Sequence, residues 1–389
     1  MKIWYLTRTY YPYQNGGGPL LRTGAVKYLE ELGWEVTVVM PNYGSNNVNI
    51  DNNIIQIPFK HIQKFSSLLE RLGIYEDYLD KWVKNAFEYL KNKVKEDDIV
   101  FATSGGELGM IKIGSLLEEK LGCKFIVNFH DPLQYGYMNG LRPDKKPHIG
   151  REKSQEKYLN NVDLIITSSQ YYANVLSKRF SYLKDKIHNN YFGYVEPMEL
   201  LNNTKLKDGK LCIAYVGTMG STQKPEMLYE AYKRVTNKEN IQLFFVGDRS
   251  HYKPLQKIND DNIKFIDFLP HDIFLKFMTE NIDVGFVSLA NDYYGACVPS
   301  KIYEYINLGL PILGALPEGD GKEIINTNNY GIACNYNDLS ALTKAIETLQ
   351  DRNYLEKVRI NIKAHHDEWS MKQKIKEVDV LIQKLMEQK

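Results

Sequence analysis

Cysteine is scarce in this chain: four residues among 389, at Cys123, Cys212, Cys297 and Cys334. They are scattered, with no pair at the short spacing of a metal clip, so the expectation is a reduced, cytoplasmic protein without a disulfide framework. An excess of either charge is also missing. Basic residues number 49 and acidic residues 48, for a net charge of +1. That leaves no basic surplus of the kind that draws a protein to nucleic acid. No apolar run reaches the length of a membrane span. The chain opens on KIWYLTR with no charged-then-apolar leader, so no secretory signal is expected. G-x-G-x-x-G occurs nowhere, which removes the nicotinamide-dinucleotide fingerprint. No two aspartates are separated by one residue, so no Asp-x-Asp pair offers itself to a divalent ion.

What is present is ordinary globular composition, 43% hydrophobic and 25% charged, over a length that allows two domains with a core each. Short apolar runs alternate with helical spacing from end to end, the pattern of doubly wound α/β domains. Strands are expected at Ile3–Leu6, Glu35–Met40, Ile54–Pro58, Ile99–Thr103, Phe125–Phe129 and Asp163–Thr167. A polar, irregular stretch over 191–209 reads as a linker. Alternation then resumes at Cys212–Val216, Ile241–Val246, Ile263–Phe265 and Asp283–Val287. This divides the chain into 1–190, a linker, and 210–368, with a terminal helix over 369–389.

Several loops at the carboxyl ends of these strands carry polar chemistry. Gly16, Gly17 and Gly18 follow the first strand and precede a helix, a layout that lets backbone approach a phosphate or sugar, or that simply makes a turn. His130 and Asp131 end the strand NFHD, where ligands of open α/β sheets gather, though a histidine there can equally be structural. Gly217 and Thr218 follow the first strand of the second half, with Lys224 at the start of the next helix. Residues 132–150, with Tyr135, Tyr137, Asn139 and Arg142, read as an acceptor-binding element or lid. Between 65 and 95 a helical stripe of Leu68, Leu69, Leu72, Trp82, Val83 and Phe87 is backed by Lys81, Lys84, Lys91, Lys93 and Lys95. Such a region is a core stripe with a solvated back, or a basic, aromatic surface for an anionic membrane.

The most informative stretch is YGACVPSKIYEYINLGLPIL, residues 294–313. Pro299 or Ser300 can open a helix whose unpaired N–H groups and partial positive charge suit a diphosphate. Lys301 adds a full charge. Glu304, three residues on and on nearly the same face, can accept hydrogen bonds from a vicinal diol such as a ribose. Gly309 would end the helix and Pro311 lead into a buried strand.

PSKIYEY followed by GLPI resembles the nucleotide-sugar-binding helix of GT-B-fold glycosyltransferases, in particular the retaining family 4 group, also called glycosyl transferases group 1. The resemblance extends to NFHDP and DLIITSS in the first half and is strongest over 216–311. It implies two Rossmann-like domains facing a cleft, with the terminal helix crossing back to the first. It implies a glycosyltransferase of class EC 2.4 that is retaining and independent of metal and of any cofactor. The donor would be a nucleotide-diphosphate sugar and the acceptor a glycan or lipid-linked molecule, in bacterial surface polysaccharide or glycoconjugate synthesis. The enzyme would be cytoplasmic, with peripheral contact at the inner face of the membrane through 65–95. By the same resemblance, His130, Asp131, Lys224 and Lys301 act in catalysis. Gly17, Gly18, Gly217, Thr218, Lys224, Arg249, Leu269, Val298, Pro299, Ser300, Lys301 and Glu304 bind the donor, with Leu269 in the loop beside the nucleobase. Two departures stand out. Thr218 and Met219 occupy the place of a common arginine, whose role then goes unfilled or falls to Lys301 or Arg249. Ala296 replaces the first of two glutamates that many members carry with seven residues between them, which keeps open a catalytically silent partner subunit beside the enzyme reading; a nucleotide-sugar epimerase is the further alternative.

Overall fold

A computed structural model describes residues 1–14, 16–60, 63–133, 146–198 and 209–387. Residues 134–145 of the expected acceptor loop, and 199–208 of the expected linker, lie outside them; the last part of that loop, 146–150, is helical instead. The chain forms two compact units, Met1–Val195 with Met371–Lys389, and Glu196–Ser370.

The first unit holds strands β1 (Lys2–Leu6), β2 (Glu35–Tyr43), β3 (Asn49–Asp51), β4 (Ile54–Phe59), β5 (Ile99–Gly105), β6 (Lys124–Asp131), β7 (Leu164–Thr167) and β8 (Ile187–Asn189). Its helices are α1 (Gly17–Glu31), α2 (Gln63–Arg71), α3 (Asp80–Leu90), α4 (Gly109–Leu121), α5 (Lys146–Leu159) and α6 (Gln170–Arg179). The strands form one sheet in the order β3-β4-β2-β1-β5-β6-β7-β8, parallel except for the antiparallel β3–β4 pair. Burial on both faces explains the unbroken apolar runs of β5 and β7. β3 and β8 were not expected, because short edge strands need no apolar signature; all three β3 residues are exposed.

The terminal helix, Met371–Glu387, belongs to this unit. It buries Met371, Ile375, Val378, Ile382 and Leu385, spaced to make one stripe, against Ala25, Val26, Tyr28 and Leu29 of α1. The Trp34 indole donates to Asp379 Oδ1 at 2.7 Å and fixes its register.

The expected helical region over 65–95 is two helices with opposite orientations toward the core. α3 buries Trp82, Val83, Ala86 and Leu90 as the stripe requires. α2 does the reverse: Leu68 and Leu72 are exposed, while Ser66 and Glu70 are buried. The cause is Arg151 on α5, whose Nε meets Glu70 Oε1 at 2.6 Å and Asp77 Oδ2 at 3.3 Å. A guanidinium out of water demands carboxylate partners, and this turns the acidic side of α2 inward.

The second unit holds β9 (Leu211–Val216), β10 (Ile241–Val246), β11 (Ile263–Ile266), β12 (Val284–Ser288), β13 (Ile312–Leu316) and β14 (Gly331–Asn335). Its helices are α7 (Glu226–Tyr232), α8 (Lys253–Gln256), α9 (His271–Asn281), α10 (Ser300–Asn307), α11 (Asp320–Thr327), α12 (Leu339–Leu349) and α13 (Arg352–His365). The sheet order is β11-β10-β9-β12-β13-β14, parallel throughout. Tyr215, Phe245, Phe286, Leu313 and Ile346 lie in its core.

Ile382→Ala should destabilise the protein by about 2–5 kcal/mol, the usual loss for a buried isoleucine truncated without refilling. Chemical denaturation followed by circular dichroism measures it. A change within about 0.5 kcal/mol would show that the terminal helix contributes nothing to the fold of its unit.

Candidate functional site

In the second unit the polar residues gather at the carboxyl ends of β9, β10 and β12, where a parallel sheet opens a crevice. β9 runs into Gly217, whose amide donates to the Val246 carbonyl at 2.8 Å. Gly217 has φ +94°, and a Cβ on it would stand 3.3 Å from Lys301 Cε. Gly247, with φ +138°, lies so close that a Cβ there would be 2.4 Å from the Gly217 carbonyl oxygen. Only glycine permits both backbones to meet and leaves room for the lysine.

α10 opens at Ser300 with Pro299 as its N-cap and no side chain capping it, so its first N–H groups remain available as donors. Lys301 points back from this turn, its Nζ 5.0 Å from the centre of the Tyr215 ring. Burial lowers its pKa to about 8, with Cys297 opposing the shift slightly. An amine so poised gains from any anion brought beside it.

Glu304 follows one turn later. Its Oε1 is buried and finds no hydrogen-bond partner among the described residues. Burial raises its pKa, against the opposing pull of His271 at the start of α9. A buried carboxylate oxygen without a donor is costly unless a ligand supplies one. Lys301 and Glu304 are thus a cation and an acceptor on one helix face, each short of a partner.

The other expected donor residues fall in different places. Thr218 is exposed beside Gly217, and its carbonyl accepts from the Tyr215 hydroxyl at 2.5 Å. Val298 and Pro299 are half-buried and Ser300 exposed, leading into α10. Lys224 is exposed with φ +47° and ends a turn in which its amide donates to Gly220. It precedes α7 rather than standing in its first turn. Arg249 lies flat on Phe265, 3.7 Å from the ring centre, and donates to the Leu255 carbonyl. Leu269 is half-buried beside Phe268, which is 81% exposed. Ala296 is buried in the loop before α10.

In the first unit His130 and Asp131 end β6, and a register shift at Ser104/Gly105 sets Asp131 opposite Gly105. The His130 ring packs edge-on to Phe192 at 4.5 Å, and its carbonyl accepts from Ser168 Oγ at 2.7 Å. Its Nε2 is buried with no hydrogen-bond partner among the described residues. Burial, and then the charges of Arg22 and Arg8, hold its pKa well below the ordinary value, so the imidazole is neutral at pH 7.

Those two arginines, and Glu107 with them, were not singled out by the sequence reading. Arg22 is only 3% exposed, with one terminal nitrogen donating to Thr9 Oγ1 at 2.5 Å. Arg8 stands 3.6 Å from Glu107, a carboxylate that is 1% exposed. A Cβ on Gly105 would lie 2.9 Å from Arg22, 3.5 Å from Glu107 and 3.9 Å from Asp131, so three charged groups converge where that glycine has no side chain. For Arg8 and Glu107 the available signal was position, since they follow the carboxyl ends of β1 and β5; Arg22 lies within α1 and had none. Gly17 and Gly18 form the exposed first turn of α1 in the same unit, and Arg22 reaches back to within 3.3 Å of where a Gly18 Cβ would sit. Among the described residues no group of three His, Cys, Asp or Glu side chains is arranged to hold a metal ion.

Comparison with known proteins adds the family. Residues 210–352 match the family described as glycosyl transferases group 1. No curated protein matches the chain at a significant level. Among solved structures, HepE of Anabaena in complex with UDP and glucose aligns with a TM-score of 0.68 at 14% identity, over 99% of this chain and 100% of that one. The lipopolysaccharide outer core galactosyltransferase WaaB aligns at 0.70 and 13%, over 98% and 99%. WaaG, a glycosyltransferase involved in lipopolysaccharide biosynthesis, aligns at 0.63 and 12%, over 97% and 98%. At these identities the likeness is one of fold. With its two parallel sheets and terminal helix the whole chain has the GT-B fold, and its residues 210–352 are a domain of the glycosyl transferases group 1.

Proposed function

We propose that this protein transfers a sugar from a nucleotide-diphosphate donor to a glycan or lipid-linked acceptor, with retention of configuration and without a metal ion. The observation that carries the reading is the pair on α10: a half-desolvated Lys301 and, one turn on, Glu304 with a buried, unpartnered oxygen. In this reading Glu304 accepts the ribose hydroxyls. Lys301, the Gly217–Thr218 backbone and the first N–H groups of α10 receive the diphosphate, with Lys224 adding charge from its exposed turn. Val298, Pro299 and Ser300 line the approach, and the loop at Leu269 borders the base. Arg249, stacked on Phe265, shapes that border more than it binds phosphate.

The chemistry asked of the protein is positioning and charge. As the bond from the anomeric carbon to the diphosphate breaks, the acceptor oxygen bonds to the same face and its proton passes to a departing diphosphate oxygen. Lys301 stabilises the negative charge that gathers there. His130, neutral and with Nε2 unpaired, holds a hydroxyl of the transferred sugar, and Asp131 faces the acceptor. HepE is seen with UDP and with UDP-glucose, so uridine donors are the first to test. WaaB and WaaG serve lipopolysaccharide, which supports an acceptor of that class in bacterial surface glycoconjugate synthesis. Ala296 supports one alternative, a silent partner subunit; slow hydrolysis of a UDP-sugar by the isolated chain would exclude it.

Glu304→Ala should weaken uridine diphosphate binding roughly 10- to 150-fold, the equivalent of about 1.5–3 kcal/mol of charge-assisted hydrogen bonding. An unchanged dissociation constant by calorimetry removes Glu304 from the site. Affinity should also depend on pH in a defined direction. The free protein's Lys301 has a pKa of about 8, and a bound diphosphate raises it, so binding takes up a proton above pH 8. The Lys301 contribution is then constant below pH 8 and falls above it, by at most about tenfold per pH unit. In Lys301→Met that slope should disappear; if it persists, another group is responsible. His130→Ala should lower turnover roughly ten- to a thousand-fold while leaving diphosphate affinity nearly unchanged, and wild-type turnover would remove the histidine from the reaction.

A further inference from the structure

Five buried polar atoms without a hydrogen-bond partner among the described residues lie at the carboxyl end of the first unit's sheet: Arg8 Nε, Arg22 Nε, both carboxylate oxygens of Glu107, and His130 Nε2. Buried donors and acceptors are almost always paired, so several unpaired ones at one place point to a ligand that pairs them.

Local structure fixes the set. Gly106, with φ +94°, and the Ser104 hydroxyl, which donates to the Glu107 carbonyl at 2.6 Å, shape the turn after β5. Glu107 is 1% exposed, and its carboxylate stands 3.6 Å from Arg8 Nε, too far for a hydrogen bond. Arg8 Nη1 donates to the Tyr78 hydroxyl at 3.4 Å. Arg22 and Glu107 are buried, but Arg8, Gly105, Gly106, His130 and Asp131 are only half-buried. Solvent and solutes can therefore reach the group.

Its charges balance. Arg8 and Arg22 stand with Glu107 and Asp131 around Gly105. Arg151, which donates to the Gly106 carbonyl at 2.6 Å, faces Glu70 and Asp77. Three cations among four carboxyl groups leave no positive surplus for a phosphate or carboxylate, which would also have to sit beside Glu107. A sugar hydroxyl suits the set better, because it donates and accepts at once, and here a carboxylate lies beside guanidinium N–H groups.

We propose that Glu107, with Arg8 and Arg22, receives hydroxyls of the acceptor, and that the acceptor presents an uncharged sugar residue to the first unit, not a phosphorylated or acidic one. Hydroxyls donate to the Glu107 oxygens and accept from the arginine Nε–H groups. The inference rests on the transferase reading and adds the acceptor's chemical class and the side chain that selects it.

The test is saturation-transfer difference NMR of the full chain with UDP present, comparing the methyl glycosides of glucose, galactose and mannose with the corresponding 6-phosphates. Wild-type protein should bind at least one methyl glycoside, and its 6-phosphate about tenfold more weakly or not at all. Glu107→Gln should weaken that glycoside about tenfold and reverse the preference, since Arg8 and Arg22 then outnumber the remaining carboxylate. Gly105→Ala is the second variant. Its φ lies outside the left-handed region and its Cβ would meet the flexible end of Arg22 at 2.9 Å. It should weaken the glycoside by a similar factor with an unchanged circular dichroism spectrum. Wild-type protein that favours the 6-phosphates, or binds no glycoside, overturns the proposal, as does a Glu107→Gln variant that keeps the wild-type preference. The UDP signals are read in the same samples: UDP bound without the expected sugar preference sinks this inference alone, whereas UDP left unbound removes the transferase reading and this inference with it.

Discussion

The close approach of two backbones at Gly217 and Gly247 is the constraint on which the donor side of this protein depends. It places the carbonyl of one loop where any side chain on the other would collide, and the space left over is filled by the Lys301 stem. The amine, drawn out of bulk water and over the Tyr215 ring, has its proton affinity lowered toward neutrality. A lysine at the same helical position with a solvated head would be an ordinary charge. Here it stores unfavourable desolvation that an incoming anion relieves, and Glu304 stores a matching deficit one turn further on.

The first unit shows the same principle with more charges. Arg8, Arg22 and Glu107 lie beside a neutral histidine, and Arg151 and Lys112 take up four carboxylates that would otherwise face outward. Breaking such a pair leaves a buried charge uncompensated, which costs far more than the pair's net worth. These networks therefore act chiefly as fixtures. They decide which way α2 is turned and hold Gly106 in place at the edge of the sheet. The apolar face of α2 is the visible consequence, since a helix held by its acids must present its leucines to the outside.

Much of the architecture could be read directly. Parallel strands buried on both faces carry apolar runs without alternation, so β5, β7 and β12 announce themselves, and Pro299 before SKIYEY with Gly309 after it bounds α10 almost to the residue. The edge strands β3 and β8 could not be read, since three residues, all exposed in β3 and with Ile187 alone buried in β8, are too few to impose a pattern. The single helical region over 65–95 was misjudged for a related reason: periodicity locates an apolar stripe but not the direction in which it faces, and that direction was set by an arginine some eighty residues away.

The sequence by itself determined the alternation of strand and helix, the lack of any charge surplus, and the types and spacing of Lys301 and Glu304 on one helical face. These follow from local rules, since propensity, capping and period act over a few residues. Only the tertiary structure decided that Lys301 is desolvated against Gly217, that His130 is buried and kept neutral with the charges of Arg22 and Arg8 acting on it, and that α2 shows its apolar side to the outside. Those properties depend on the water that distant segments exclude and on the charges they bring within a few ångströms, and neither quantity is a function of neighbouring residues in the chain.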